Sequence, residues 1–213
     1  EGLMVSDEQL EKKFGLIVEF LQEHQDRIPR FPGKEARWSE SLREKLRAKF
    51  LRGREIKHPT KPMTVTDDAY LEVMFHYWGF DSEDREKIEE IHKAAMAAEN
   101  IVGDILERYL AERLESEDWV WCSGSVVRAT DFIRYENGRW RSLQIKNRDN
   151  SENSSSSAIR AGTEIEKWFR CFSQKHETNW DAFPYQVKKG APLSDDDFKK
   201  FLIRYVEKIR VKK

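Results

Sequence analysis

The sequence predicts an α/β protein: one core over residues 82–213, preceded by a helical region over residues 1–81. Three observations carry that reading. Apolar residues recur at helical spacing through most of the first 114 residues. Two β-rich runs meet at Asn137-Gly138, the dipeptide of a tight hairpin. The acidic cap Ser194-Asp195-Asp196-Asp197 then opens a closing helix from Phe198 to about Ile209.

In chain order, Ser6-Asp7-Glu8 caps a first helix. Leu10, Phe14, Ile17, Val18 and Leu21 form its stripe, and it ends before Pro29. Ser39 or Ser41 caps a second helix through Leu51, with Leu42, Leu46, Phe50 and Leu51 inward. Arg43, Lys45, Arg47, Lys49 and Arg52 make that helix strongly basic. Thr66-Asp67-Asp68 starts a third, over Ala69–Trp78, closed at Gly79. Ser82-Glu83-Asp84 opens the longest, running to about Leu114 with Ile88, Ile91, Ala95, Ala98, Val102, Leu106 and Leu110 along one side. Gly103 inside it costs helix stability and points to a close backbone approach.

Trp119–Cys122 reads as a first strand. The hairpin follows, with Val126–Tyr135 and Trp140–Asn147 as its arms. A serine-rich loop leads to a helix expected over residues 162–173, and Pro184–Val187 to a further short strand.

Composition bounds the function. The chain has 213 residues, 38% hydrophobic and 36% charged, with seven Trp and twelve Phe to build a core. Two Cys make no disulfide framework, so reduced cytoplasmic thiols are expected. Five scattered His give no zinc spacing. No apolar run reaches membrane length, and Glu and Lys interrupt Leu3–Phe20 too often for a signal peptide, so no membrane partner is expected. Net charge is −1, but unevenly spread. Residues 27–62 hold 12 Lys/Arg against 4 Asp/Glu, residues 82–118 hold 5 against 12, and residues 186–213 hold 9 against 4. Solvated helix faces explain such runs; so does a track for a polyanion.

The hairpin carries the chemistry. Asp131 falls on its first arm, and Gln144 and Lys146 lie two apart on its second, so they share a face. A carboxylate and an amide oxygen suit a divalent cation, and an ammonium suits a developing anion. The bland reading is an edge acid, a cross-strand amide and a solvent lysine.

Thr130-Asp131 and Gln144-Ile145-Lys146 resemble the core of the PD-(D/E)XK nucleases, with Thr130 in place of the usual Pro and Gln144 in place of the usual acid. The run from Arg128 to Arg170, above all Asp149-Asn150-Ser151-Glu152-Asn153 and Ser154–Ser157, resembles the SinI/AvaII group of type II restriction endonucleases. That resemblance implies a mixed β-sheet flanked by helices. It implies magnesium held by Asp131 and Gln144, with Lys146 stabilising the cleaved phosphate. It also implies an acid from the long helix, either Glu99 or Glu107. It implies double-stranded DNA with a GGWCC-like palindrome as substrate, a homodimer, and a DNA methyltransferase encoded nearby. Asn147, Arg148, Asn150, Asn153, Ser154, Ser155, Ser156, Ser157, Arg160 and Thr163 are the candidate DNA contacts. The basic N-terminal region is a candidate for DNA binding or dimerisation. The alternatives are a repair-type nuclease of the same superfamily, or a non-catalytic DNA-binding protein with a degraded site.

Overall fold

A computed structural model of the chain describes residues 6–32, 38–149 and 162–210. Five α-helices are seen among them: α1 (Asp7–Glu23), α2 (Glu40–Arg54), α3 (Asp68–His76), α4 (Arg85–Leu114) and α5 (Asp195–Arg210). Four strands form one sheet: β1 (Val120–Trp121), β2 (Phe132–Glu136), β3 (Arg139–Arg148) and β4 (Ile165–Cys171). The strand order is β1-β2-β3-β4. The first two pairings are antiparallel and the last is parallel. This is the expected α/β architecture, a mixed sheet flanked by helices.

The caps fall where the sequence puts them. Ser6 and Gln9 form a reciprocal capping box on α1. The Ser39 hydroxyl accepts from Leu42 N at 3.2 Å, and that of Ser194 from Asp197 N at 3.2 Å. Asn137 and Gly138 both take positive φ, 52° and 78°, as a tight hairpin turn requires. Glu136 and Arg139 close the ladder on either side.

By its packing the chain divides differently from a 1–81 and 82–213 split. One unit holds Glu1–Ile56 with Ile105–Lys213, and the other holds Lys57–Asp104. The reason is burial. α1 and α2 each have a wide apolar face and cover one side of the sheet with it. Phe14, Ile17, Leu21, Leu46 and Phe50 share a core with Val120, Val126 and Ile133. Aromatic residues line the other side: the Trp168 ring lies 4.9 Å from that of Trp180, tilted by 47°, and Trp180 meets Tyr109 of α4 and Phe198 of α5. In the second unit α3 lies by α4, with Tyr70 5.2 Å from His92.

Several expectations are corrected. Residues 165–171 form strand β4, not a helix. Ile165, Trp168 and Phe169 suit a pleated surface, and the backbone of β3 offers them a parallel ladder. Parallel pairing needs a connection of a dozen or more residues, and 16 residues separate β3 from β4 in the sequence. Residues 126–131 are not strand, and 184–187 form none. Positive φ at Ser125 and Ala129 turns the chain before β2 can begin. Gly103 makes no close approach among the described residues: a Cβ there meets nothing within 4 Å. Its cost of about 1 kcal/mol relative to Ala is therefore not offset among the described residues.

The close approach is at Gly53 and Gly124 instead. A Cβ on Gly53 would lie 2.1 Å from Gly124 N, and one on Gly124 would lie 2.3 Å from Lys49 O. The Ser123 hydroxyl donates to Phe50 O at 2.8 Å and pins the same turn to α2. Arg108 caps the end of α2, donating to Gly53 O at 3.0 Å, Arg54 O at 3.1 Å and Glu55 O at 2.6 Å.

Candidate active site

Asp131 sits one residue ahead of β2 yet is fully bonded into the sheet. Its N–H donates to Leu143 O at 2.9 Å, and its carbonyl accepts from Cys122 N at 2.8 Å. Its side chain does what a strand carbonyl would do next: Oδ2 accepts from Ile145 N at 2.6 Å. That bond uses one of the two oxygens and locks the carboxylate between Gln144 and Lys146. The register agrees with this juxtaposition, since Phe132, the residue after Asp131, opposes Leu143, the residue before Gln144.

Gln144 is 2% exposed and Lys146 is half-buried, both on the face of β3 shared with Ser142. On β4, Lys167 pairs with Gln144 and Phe169 with Lys146. Burial raises the Asp131 carboxyl from its usual 3.8 to about 6. The Ile145 N–H and the Lys146 ammonium pull the other way and only partly compensate. A buried carboxylate with so little positive charge around it is poised to gain from a cation. Among the described residues no three His, Cys, Asp or Glu side chains gather as a metal-holding group. A cation here would therefore draw on the Asp131 carboxylate, the neutral Gln144 oxygen and fewer acids than usual, which a hard, oxygen-loving ion tolerates.

Glu99 is exposed on α4 in the Lys57–Asp104 unit, while Asp131, Gln144 and Lys146 belong to the other. Glu107 lies in the same unit as the hairpin, and its Oε2 accepts from Trp121 Nε1 at 3.0 Å. Burial, then Asp131, with Glu107 and Glu115 as lesser contributors, drives the Cys122 thiol pKa upward. Both Asp131 and Glu107 thus lie within electrostatic reach of one buried thiol.

The candidate DNA contacts divide. Asn147 lies on the face opposite Lys146, where its Oδ1 accepts from Arg170 Nε at 2.9 Å. Arg170 in turn pairs with Asp195. Arg148 is exposed at the end of β3. Thr163 is exposed before β4, its hydroxyl accepting from Ile165 N at 3.4 Å. Asn150, Asn153, Ser154–Ser157 and Arg160 lie outside the described residues. Two neighbours of the site were not among the candidate site residues. Thr130 is buried, its hydroxyl unpartnered among the described residues, and Cys122 is buried on the strand beside Asp131. Position next to Asp131 was the available signal for Thr130; none pointed to Cys122.

A four-stranded mixed sheet between helices, with an acid bonded across to a Gln-X-Lys strand, is a restriction-endonuclease-like core. The comparisons with known proteins make that class particular. The family model of the SinI restriction endonuclease matches residues 1–208. The type II restriction enzyme Eco47I of Escherichia coli is 44% identical over 206 residues, covering 94% of this chain and 89% of that one. The type II restriction enzyme SinI of Salmonella infantis is 44% identical over 207 residues, covering 95% and 90%. The chain belongs to the SinI restriction endonuclease family, whose named members here are type II restriction enzymes.

Proposed function

We propose that the protein hydrolyses phosphodiester bonds of double-stranded DNA at a short palindrome, with Mg2+, as a homodimer. The observation that carries this is the Asp131 carboxylate fixed by Ile145 N beside Gln144 and Lys146. Asp131 and Gln144 would hold the ion, which when bound supplies Lewis-acid activation of water and phosphate. Asp131 must be ionised for this. Lys146 favours that ionisation, and its ammonium is placed to stabilise charge growing on the cleaved phosphate. Gln144 brings an oxygen without a charge. Glu107 is favoured over Glu99 as the third ligand, because it is half-buried in the hairpin's own unit and shares Cys122 as a neighbour with Asp131. A GGWCC-like site is the reading that follows from the SinI/AvaII resemblance, with a cytoplasmic setting and a methyltransferase encoded nearby to protect host DNA. Site reading falls to Arg148, Thr163, Asn150, Asn153, Ser154–Ser157 and Arg160, all of which follow Lys146 closely in the sequence.

Plasmid cleavage with Mg2+ against EDTA tests the reading. Discrete fragments with Mg2+ alone support it. Binding without cleavage under either condition would move the protein to the non-catalytic alternative. Gln144→Glu restores the commoner acid and should retain cleavage with a changed metal preference. Complete loss in a folded variant would give Gln144 a hydrogen-bond-donor role instead.

The basic helix α2 offers a second test. Arg43, Arg47 and Arg52 are exposed on it, with Arg47 paired to Glu11. If α2 follows the duplex, changing all three to Ala should weaken binding to every sequence alike. The slope of log K against log salt should fall by about 0.9 for each phosphate that the variant no longer neutralises. An unaltered slope would remove α2 from the DNA track.

A further inference from the structure

The Lys57–Asp104 unit carries more apolar surface than it covers. Eight of the eleven exposed large apolar side chains among the described residues lie in it, in less than a quarter of the chain. Tyr77, Trp78 and Phe80 follow α3 directly, 77%, 64% and 48% exposed. Tyr77 and Trp78 meet edge-on at 5.1 Å, so they form one aromatic knob. α4 adds Ile91 and Met96. Ile91, Ala95 and Ala98 are exposed at the spacing of a helix face that is normally buried. The unit's own buried apolar residues are few: Leu71, Ile88, Ala97 and Ile101.

The chemistry of this surface selects its occupant. The unit holds 11 Asp/Glu against 5 Lys/Arg, which disfavours phosphate; the same charge opposes pairing of two copies, so the contact must rest on the apolar face of Ile91, Ala95 and Ala98. The exposed apolar side chains of α3, the aromatic segment and α4 amount to about 700 Å² per copy, close to the roughly 800 Å² per partner of a stable protein interface. Ala95 and Ala98 share the exposed face of α4 with Ile91, so the helix is small-sided there. A smooth helix flank beside an aromatic knob suits close helix-to-helix approach. A two-fold axis brings the same patch of two copies together, so one sequence supplies both sides.

We propose that α3, the aromatic segment after it, and the α4 stretch up to Asp104 form the homodimer interface, packed on the same surface of a second copy of this chain. This rests on the homodimer reading above and says where that dimer is made.

Sedimentation equilibrium of the full chain and of the Trp78→Asp/Ile91→Glu double variant tests it. Both side chains are exposed, so circular dichroism should not change. The expected result is a wild-type dimer and a variant whose association is roughly thirty-fold weaker or more, as for loss of a central interface anchor. A wild-type chain that stays monomeric with and without DNA overturns the homodimer reading and the interface with it. A wild-type dimer that the double variant leaves intact overturns the interface alone. Should the variant misfold, single cysteines at Ile91, Ala95 and Ala98 decide. At least one should cross-link two chains under mild oxidation, above the wild-type level and above Lys12→Cys on α1. Cross-linking no greater than those controls at all three positions overturns the proposal.

Discussion

Asp131→Asn should lower cleavage roughly a thousand-fold or more, about 4 kcal/mol of transition-state stabilisation, while DNA binding stays equal or tightens. Asparagine keeps an oxygen for the Ile145 N–H and removes only the charge. Asp131→Ala also loses the charge but leaves that buried N–H unpaired, at about 1–3 kcal/mol of stability, so Asn is the cleaner substitution. The same variant makes a second, opposite-looking claim about the fold. The Asp131 pKa is about 6 folded and near 3.8 unfolded. A raised folded value means that its contribution to stability is fully present below about pH 4 and lost as pH rises through 6. Above pH 6 the metal-free wild type therefore carries a buried charge that the variant lacks. Asp131→Asn should be the more stable protein there, by up to about 3 kcal/mol, with the gap closing towards pH 4. Cleavage assays and urea melts at pH 4.5 and 8 in EDTA check both halves. Near-wild-type cleavage would remove Asp131 from the site. A variant less stable at pH 8 would show that the carboxylate is held by more positive charge than Lys146 provides.

Gly53→Ala should cost about 3 kcal/mol, the upper range for forcing an extra methyl group into a packed contact. In an exposed helix the same change would stabilise by up to about 1 kcal/mol. The sign reverses because the new Cβ meets backbone, Gly124 N at 2.1 Å and Ser123 C at 2.5 Å, which has no rotamer to escape into. The turn at 123–125 must move off α2, and the Ser123–Phe50 bond moves with it. That turn leads through Val126 and Val127, both buried, to Asp131, so cleavage should fall together with the urea midpoint. Gly15→Ala on α1 is the matched control, since nothing lies within 4 Å of its Cβ. If the two variants have the same midpoint, the Gly53–Gly124 contact does not hold the turn.

Much of the fold could be read from residue types alone, because the forces involved are local. Caps at Ser6, Ser39 and Ser194 act within one helical turn. The Asn137-Gly138 turn is set by the φ values those two residues tolerate. Period-two spacing put Gln144 and Lys146 on one face, and Asp131 beside that strand followed from the hairpin. The misreadings all fall where a distant partner decides. Residues 165–171 have a pattern that serves as helix or strand, and the free edge of β3 settled it. Residues 126–131 have strand-forming side chains, but positive φ at Ala129 and the docking of the turn on α2 delay β2 to Phe132. α1 and α2 read as a separate helical region because their stripes show that something is buried and not against what; the sheet covers them.

The sequence by itself determined the helices, the hairpin and the Asp131, Gln144 and Lys146 grouping, since each depends on neighbours within a few residues or across one tight turn. Only the tertiary structure decided the environment of that grouping. Burial lifts Asp131 to about 6, and the single N–H of Ile145 and one nearby ammonium only partly oppose it. Desolvation is a sum over every atom packed around a carboxylate, and those atoms come from parts of the chain that no spacing rule connects.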